Sequence, residues 1–170
     1  MNIKFLGILS LFIIFFSCKK NQETEAVVVK KETQELSKKD IEKLKYTEYI
    51  LDDRTEVFTN NWNEYKQIQD VITNVKKADL SFFNNNNKAI KELLQNLKTN
   101  IPFELNTPGI MARILAFETK LYKLESLSNL STTTKKELLT VIKEFLIGFS
   151  NLNLQMNKKI EGDNIIIEKP

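Results

Sequence analysis

The chain reads as an all-α protein, an antiparallel bundle of about four helices behind a disordered N-terminal tether. Three observations predict this. After residue 46, apolar side chains recur at steps of three and four, the period of a helix with one buried face. Helix-start signals stand where those stripes begin. Only four glycines and three prolines interrupt 170 residues, so there is little turn chemistry for a hairpin-rich β fold.

Lys19 to about Lys45 reads as tether, with Ser37-Lys-Lys-Asp40 and the run after it allowing a helical turn or two before the body. Phe58, Trp62, Tyr65, Ile68, Ile72 and Val75 then trace one face and predict a first helix over 48–77. Leu80, Phe82 and Phe83 form a turn whose aromatics should tuck into the core. Asn84 to Asn87 offers several N-caps, and Ile90, Leu93, Leu94 and Leu97 mark a second helix ending before Pro102. Thr107-Pro108 is a helix start, with threonine as cap and proline where its missing N–H costs nothing. Ile110, Ile114, Phe117, Leu121 and Leu124 carry this third helix to about Glu125. Thr134-Lys-Lys-Glu137 fits a capping box, and Leu138, Val141, Ile142, Phe145, Phe149 and Leu152 extend a fourth helix to about Lys159. Connections mostly under ten residues make sequential helices antiparallel neighbours.

The domain organisation expected is a signal segment over 1–17, a lipidated cysteine and flexible tether over 18–45, the bundle over 46–160 and a tail over 161–170. Lys19 to about Lys45 is dominated by Lys, Glu, Gln, Thr, Ser and Asp, too polar to offset the entropy of ordering it. As a coil it would hold the body ~30 Å from its origin. Val27-Val28-Val29 is its one apolar patch, and Ile165-Ile166-Ile167 is a β-prone stretch in the tail.

Cys18 is the only cysteine, and it stands where an apolar run meets Lys19-Lys20-Asn21-Gln22. Lys4 supplies a positive n-region, and Phe5 to Phe16 is an apolar h-region, shorter than the roughly 20 residues that cross a bilayer. Cleavage before Cys18 would put bulky Phe15 at −3, a poor fit to the small-residue rule of ordinary export signals. The segment resembles a bacterial lipoprotein signal, with small Ser17 preceding the cysteine. That resemblance covers residues 1–18. It implies that the Cys18 thiol receives a diacylglyceryl group, that the peptide is cut before it, and that the new amino terminus is acylated. Two or more acyl chains anchor a protein stably where one does not. Resemblance to proteobacterial lipoproteins, with Lys19 rather than aspartate after the cysteine, implies the outer membrane facing the periplasm.

Composition narrows the chemistry. A net charge of +3 and no basic stripe with interleaved aromatics argue against nucleic acid as a partner. There is no histidine, which removes the commonest metal ligand and general base and excludes the Glu-x-x-His di-iron bundle. No glycine-rich loop cradles a phosphate. The expectation is a non-enzyme without cofactor or metal, an interaction module with an envelope protein partner and a membrane held through the lipid on Cys18. The alternative is a carrier or sensor of a small apolar or metal ligand inside the bundle.

Four groups of residues are candidates beyond Cys18. Asp52, Asp53 and Glu56 open the first helix, where acids interact well with the dipole; a carboxylate metal site is the sharper reading. Arg54 and Arg113, the only arginines, flank apolar stripes, with Glu118 nearby, and suit ion pairs more than a ligand carboxylate. Phe103 and Leu105 in the loop from Ile101 to Gly109 are expected to close the end of the bundle, with partner binding as the other reading. Trp62, Tyr65, Phe82, Phe83, Phe117, Tyr122, Phe145 and Phe149 are expected in the core rather than around a ligand cavity.

Overall fold

The structure, a computed structural model, describes residues 35–164. Cys18, the signal segment, the Val27–Val29 patch and the Ile165–Ile167 stretch lie outside the described residues. Within them the chain is all-α and folds as a helical bundle. The helices are α1 (Lys38–Glu42), α2 (Asp53–Thr59), α3 (Asn63–Lys76), α4 (Asn87–Thr99), α5 (Pro108–Ser128) and α6 (Lys135–Asp163), with short 3₁₀ turns at Ser81–Phe83 and Phe103–Leu105.

The hairpin of α5 and α6 is the backbone of the fold. Gly109 lies against Gln155 and Gly148 against Phe117 and Lys120, while Lys120 and Lys123 each reach Glu144 at 3.0 Å. Positions on α5 therefore rise as their partners on α6 fall, an antiparallel pair. Both starts form as the sequence predicts. Thr107 Oγ1 accepts from Ile110 N at 3.3 Å with Pro108 in the first turn. Thr134 Oγ1 accepts from Glu137 N while the Glu137 carboxylate accepts from Thr134 N at 2.8 Å. Both helices outrun their predicted ends. α6 runs through Gly162 and Asp163 and ends at Asn164, its C-cap.

α4 packs antiparallel to α5, with Lys98 on Glu118 at one end and the Asn129 side chain donating to the Phe83 carbonyl at the other. The asparagine run before α4 makes a turn rather than a side-chain cap. Asn85 takes a positive φ of 50°, and the Asn86 amide donates back to the Phe82 carbonyl.

The predicted first helix is replaced by three pieces. Residues 44–52 run without a turn or bend, α2 follows, and α3 starts only after Trp62. Asp52 stops helix propagation by capping α2, its Oδ1 accepting from Thr55 N at 2.9 Å. Asn60 and Asn61, weak helix formers, end α2. Trp62 then turns its indole N–H onto the Leu97 carbonyl at 3.2 Å. The α3 stripe is as predicted, with Tyr65, Ile68, Ile72 and Val75 buried, but α2 buries Thr55 and Thr59 and leaves Phe58 only half-buried.

The packed body also starts earlier than residue 46. Ile41 of α1 is buried in the core, and Leu36 and Leu44 pack against it. The Ser37–Asp40 capping box and the Lys135–Asp40 ion pair at 2.7 Å hold this turn. Residues 36–45, polar as they are, belong to the bundle because one isoleucine and one ion pair seat them.

Candidate functional site

Seven of the eight aromatic residues expected in the core join in one series, and Tyr122, half-buried, packs against the core outside it. Trp62, Tyr65, Phe149, Phe117, Phe145, Phe83 and Phe82 make a continuous series of ring contacts with centroids 5.2–6.0 Å apart. These separations are the offset and edge-to-face range that aromatic pairs prefer. The side chains a ligand cavity would need as its walls stack on one another instead.

The polar chemistry of the body is concentrated beside this core, on α6. Ser150, Asn153 and Asn157 fall at steps of three and four and share a face. Opposite them lies the strap, residues 47–52. Ser150 Oγ donates to the Thr47 carbonyl at 3.0 Å and accepts from Tyr49 N at 2.7 Å. Asn153 Nδ2 donates to the Tyr49 carbonyl at 3.0 Å. Asn157 Nδ2 donates to the Ile50 carbonyl at 2.7 Å, and its Oδ1 accepts from Asp52 N at 3.1 Å. Every one of these bonds goes to strap backbone. Ser150 and Asn153 are buried, so their groups would be costly to leave unpaired.

The seam reaches the core through Tyr65, whose hydroxyl donates to Asn153 Oδ1 at 2.8 Å. Burial, and secondarily Glu56, push the Tyr65 phenol well above its ordinary range. Asn153 therefore ties the core aromatic Tyr65 to the backbone of a surface segment that lies more than 100 positions from Asn153 itself. Chemically the seam is a clamp. Ser150 has its hydroxyl engaged as both donor and acceptor by backbone.

Where the strap meets α1, an open groove of ≈ 420 Å³ is lined by Lys38, Ile41, Glu42, Leu44, Tyr46, Glu48 and Lys76. Its charges are internally matched, with Lys38 on Glu42 at 3.4 Å and Lys76 on Glu48. Burial, then Glu48, push the Tyr46 phenol up to about 12.

The other candidates divide. Asp52, Asp53 and Glu56 do open a helix, and the Asp52 carboxyl is held below its ordinary range first by the Thr55 backbone N–H. Among the described residues no three or more acidic or cysteine side chains come together as a metal site. Arg54 leans on Asp52 at 3.7 Å. Arg113 is exposed on α5 and has no ion pair among the described residues, while Glu118 pairs with Lys98 at 2.7 Å. The loop before α5 splits, against expectation. Leu105 is fully buried and closes the bundle, but Phe103 is 89% exposed. The 3₁₀ turn Phe103–Leu105 puts residues two apart on different sides, so only one of the pair can face inward.

Sequence reasoning missed Ser150, Asn153 and Asn157. Their signal was present as short amides and a hydroxyl at helical spacing where an exposed face would carry Lys or Glu. No helix among the described residues is long and apolar enough to cross a membrane. No family model, curated protein or solved structure matches this chain.

Proposed function

We propose that this chain is a lipid-anchored protein of the bacterial cell envelope, set on the outer membrane facing the periplasm, whose bundle acts by protein contact and not by catalysis. The observation that carries the reading is the lone Cys18 at the junction of a short apolar run and polar sequence. A thiol so placed serves as an attachment point, and the acyl chains it would receive supply membrane affinity; no described helix is long and apolar enough to cross a membrane.

The body supports the contact reading in three ways. Its aromatic side chains fill the bundle axis. Its buried polar side chains on α6 are engaged with the chain's own backbone. Phe103 stands 89% exposed on a short turn whose Leu105 is buried, an aromatic side chain presented where a partner could cover it.

Replacing Cys18 tests the anchor. Full-length Cys18→Ser should accumulate as uncleaved precursor or leave the membrane fraction, with no incorporation of labelled palmitate. A mature-sized band that stays with the membranes would overturn the proposal.

A further inference from the structure

The two ends of the bundle differ in charge. α1 packs beside the start of α6, where Lys135 reaches Asp40 at 2.7 Å, and beside the end of α3, whose Lys76 shares a groove with Lys38 and Ile41. The described chain enters at this end, with Glu35 just ahead of α1. Ile41 is the residue that α1 buries. A helix turns about 100° per residue, so Lys39 and Lys43, two positions before it and two after, point away from the core. Lys45 precedes the strap, Lys77 caps α3 directly after Lys76, and Lys136 follows Lys135 on α6. All five of these lysines are exposed, and none has an ion pair among the described residues.

The acids around α1 are mostly engaged. Asp40, Glu42 and Glu48 hold Lys135, Lys38 and Lys76. Asp79 and Glu137 accept the backbone N–H groups of Ser81 and Thr134, each folded back onto its own turn. Glu35 is left, against five lysines. At the opposite end α3 begins beside the end of α4, Trp62 donating to the Leu97 carbonyl, and the strap delivers α2 to Asn157 near the end of α6. There the balance is reversed. Asp53, Glu56, Glu64 and Glu104 have no ion pair among the described residues, against Lys66 and Arg113.

We infer that the lysine face around α1 docks on anionic phospholipid headgroups of the membrane that holds the anchor, so that the body lies with α1 toward the bilayer. Docking of this kind rests on the lipid-anchor reading and deepens it. Charge selects the occupant, because an anionic lipid surface attracts each lysine near it and the attraction fades within a Debye length. Separate ammonium groups on flexible stems suit a broad field of phosphates better than one carboxylate, which favours the fixed fork of an arginine. The attraction needed is small, since an anchored body is already held at the surface and docking has only to orient it. That orientation carries Phe103, in the turn between α4 and α5, away from the bilayer and within reach of a partner.

The test is lysine acetylation, read residue by residue by mass spectrometry. The full-length chain, processed in its own membranes and extracted, is reconstituted into vesicles of phosphatidylcholine alone or with phosphatidylglycerol. With phosphatidylglycerol present, Lys39, Lys43, Lys45, Lys77 and Lys136 should be protected severalfold, Lys66 and Lys158 should not change, and high salt should remove the protection. K39E/K43E/K77E, with helix content unchanged by circular dichroism, should lose the protection of Lys45 and Lys136. Flotation with phosphatidylcholine vesicles scores the anchor by itself. A chain that floats but shows no protection, equal protection on both vesicles, or protection spread to Lys66 and Lys158 overturns the docking alone, as does protection that survives the triple substitution. Failure to float overturns the anchor and the docking with it.

Discussion

The two faces of α6 hold the molecule together by opposite means. One face carries Val141, Phe145, Phe149, Leu152, Met156 and Ile160 into a dry core. The other carries Ser150, Asn153 and Asn157 to the backbone of the strap. Burial on the first face is non-directional and proportional to area. Bonds on the second are directional, and each contributes about 0.5–1.5 kcal/mol net. The apolar face fixes that α6 is central; the polar face fixes how the N-terminal arm enters the bundle. Losses on the first face should therefore be large and global, and losses on the second smaller and confined to the arm.

The largest effect is expected at Phe145, fully buried between Phe83 and Phe117. Phe145→Ala should cost about 3–5 kcal/mol, from lost transfer energy and the cavity left behind, read as a lower urea midpoint. A cost no greater than that of the seam substitutions would break the distinction between the faces.

Next is Asn153→Ala, which strands the Tyr65 hydroxyl and the Tyr49 carbonyl together. A cost of about 1–3 kcal/mol is expected, the range for leaving a buried partner unsatisfied. Tyr65→Phe removes one of the stranded groups, so the double substitution should cost less than the sum of the two singles. Hydrogen exchange should locate the damage, with the Tyr49 and Asp52 amides faster and α5 unchanged. Strict additivity, or exchange accelerated throughout the bundle, would show that Asn153 acts as an ordinary core residue.

The same contrast decides what could be read from the sequence. The stripes of α3 to α6 and the caps of α5 and α6 were legible because they are local, each set by residues within a turn or two. The two breaks in the predicted first helix were not: apolar spacing from Phe58 to Val75 continues across the one at Asn60–Trp62, and the competing claim on residues 47–52, which ends in the Asp52 cap, comes from α6, 101 to 107 positions away. Phe103 and Leu105 look alike in composition, and only the turn that separates them decides which one is buried. For α1, one isoleucine in a run of charges gave too little pattern to reveal a seat in the core.

A smaller effect, of opposite sign, is expected on the apolar side at Gly148. A Cβ there would meet Phe117 Cδ2 at 3.5 Å and Lys120 Cγ at 3.6 Å, ordinary contact distances that add packing without forcing a shift. Gly148→Ala should raise stability by about 0.5–1 kcal/mol through helix propensity, measured by the same urea midpoint. Destabilisation would mean that α5 and α6 approach more closely than these distances indicate.

The smallest expected change is none at all, between about pH 5 and pH 8. No histidine is present to titrate there. The groups with displaced pKa values lie outside the window on both sides. Asp40 is held low first by Lys135 and then by Ser37, Glu144 by Lys123 and Lys120, and Glu137 by Thr134. A carboxyl whose folded value is depressed stabilises the fold above its unfolded value and loses that contribution as pH falls. These contributions should therefore fade below about pH 4. Tyr46 is displaced the other way, to about 12. Its contribution is complete below about pH 10, where the unfolded phenol still holds its proton, and is lost as pH rises from there toward 12. Asp40 and Tyr46 both belong to the N-terminal arm, whereas Glu144 lies between α5 and α6, so acid and base should each loosen the arm. Urea midpoints and amide exchange at Leu44, followed from pH 3 to 11, should show a plateau with decline at both ends; a slope between pH 5 and 8 would require a titrating group that these residues do not supply.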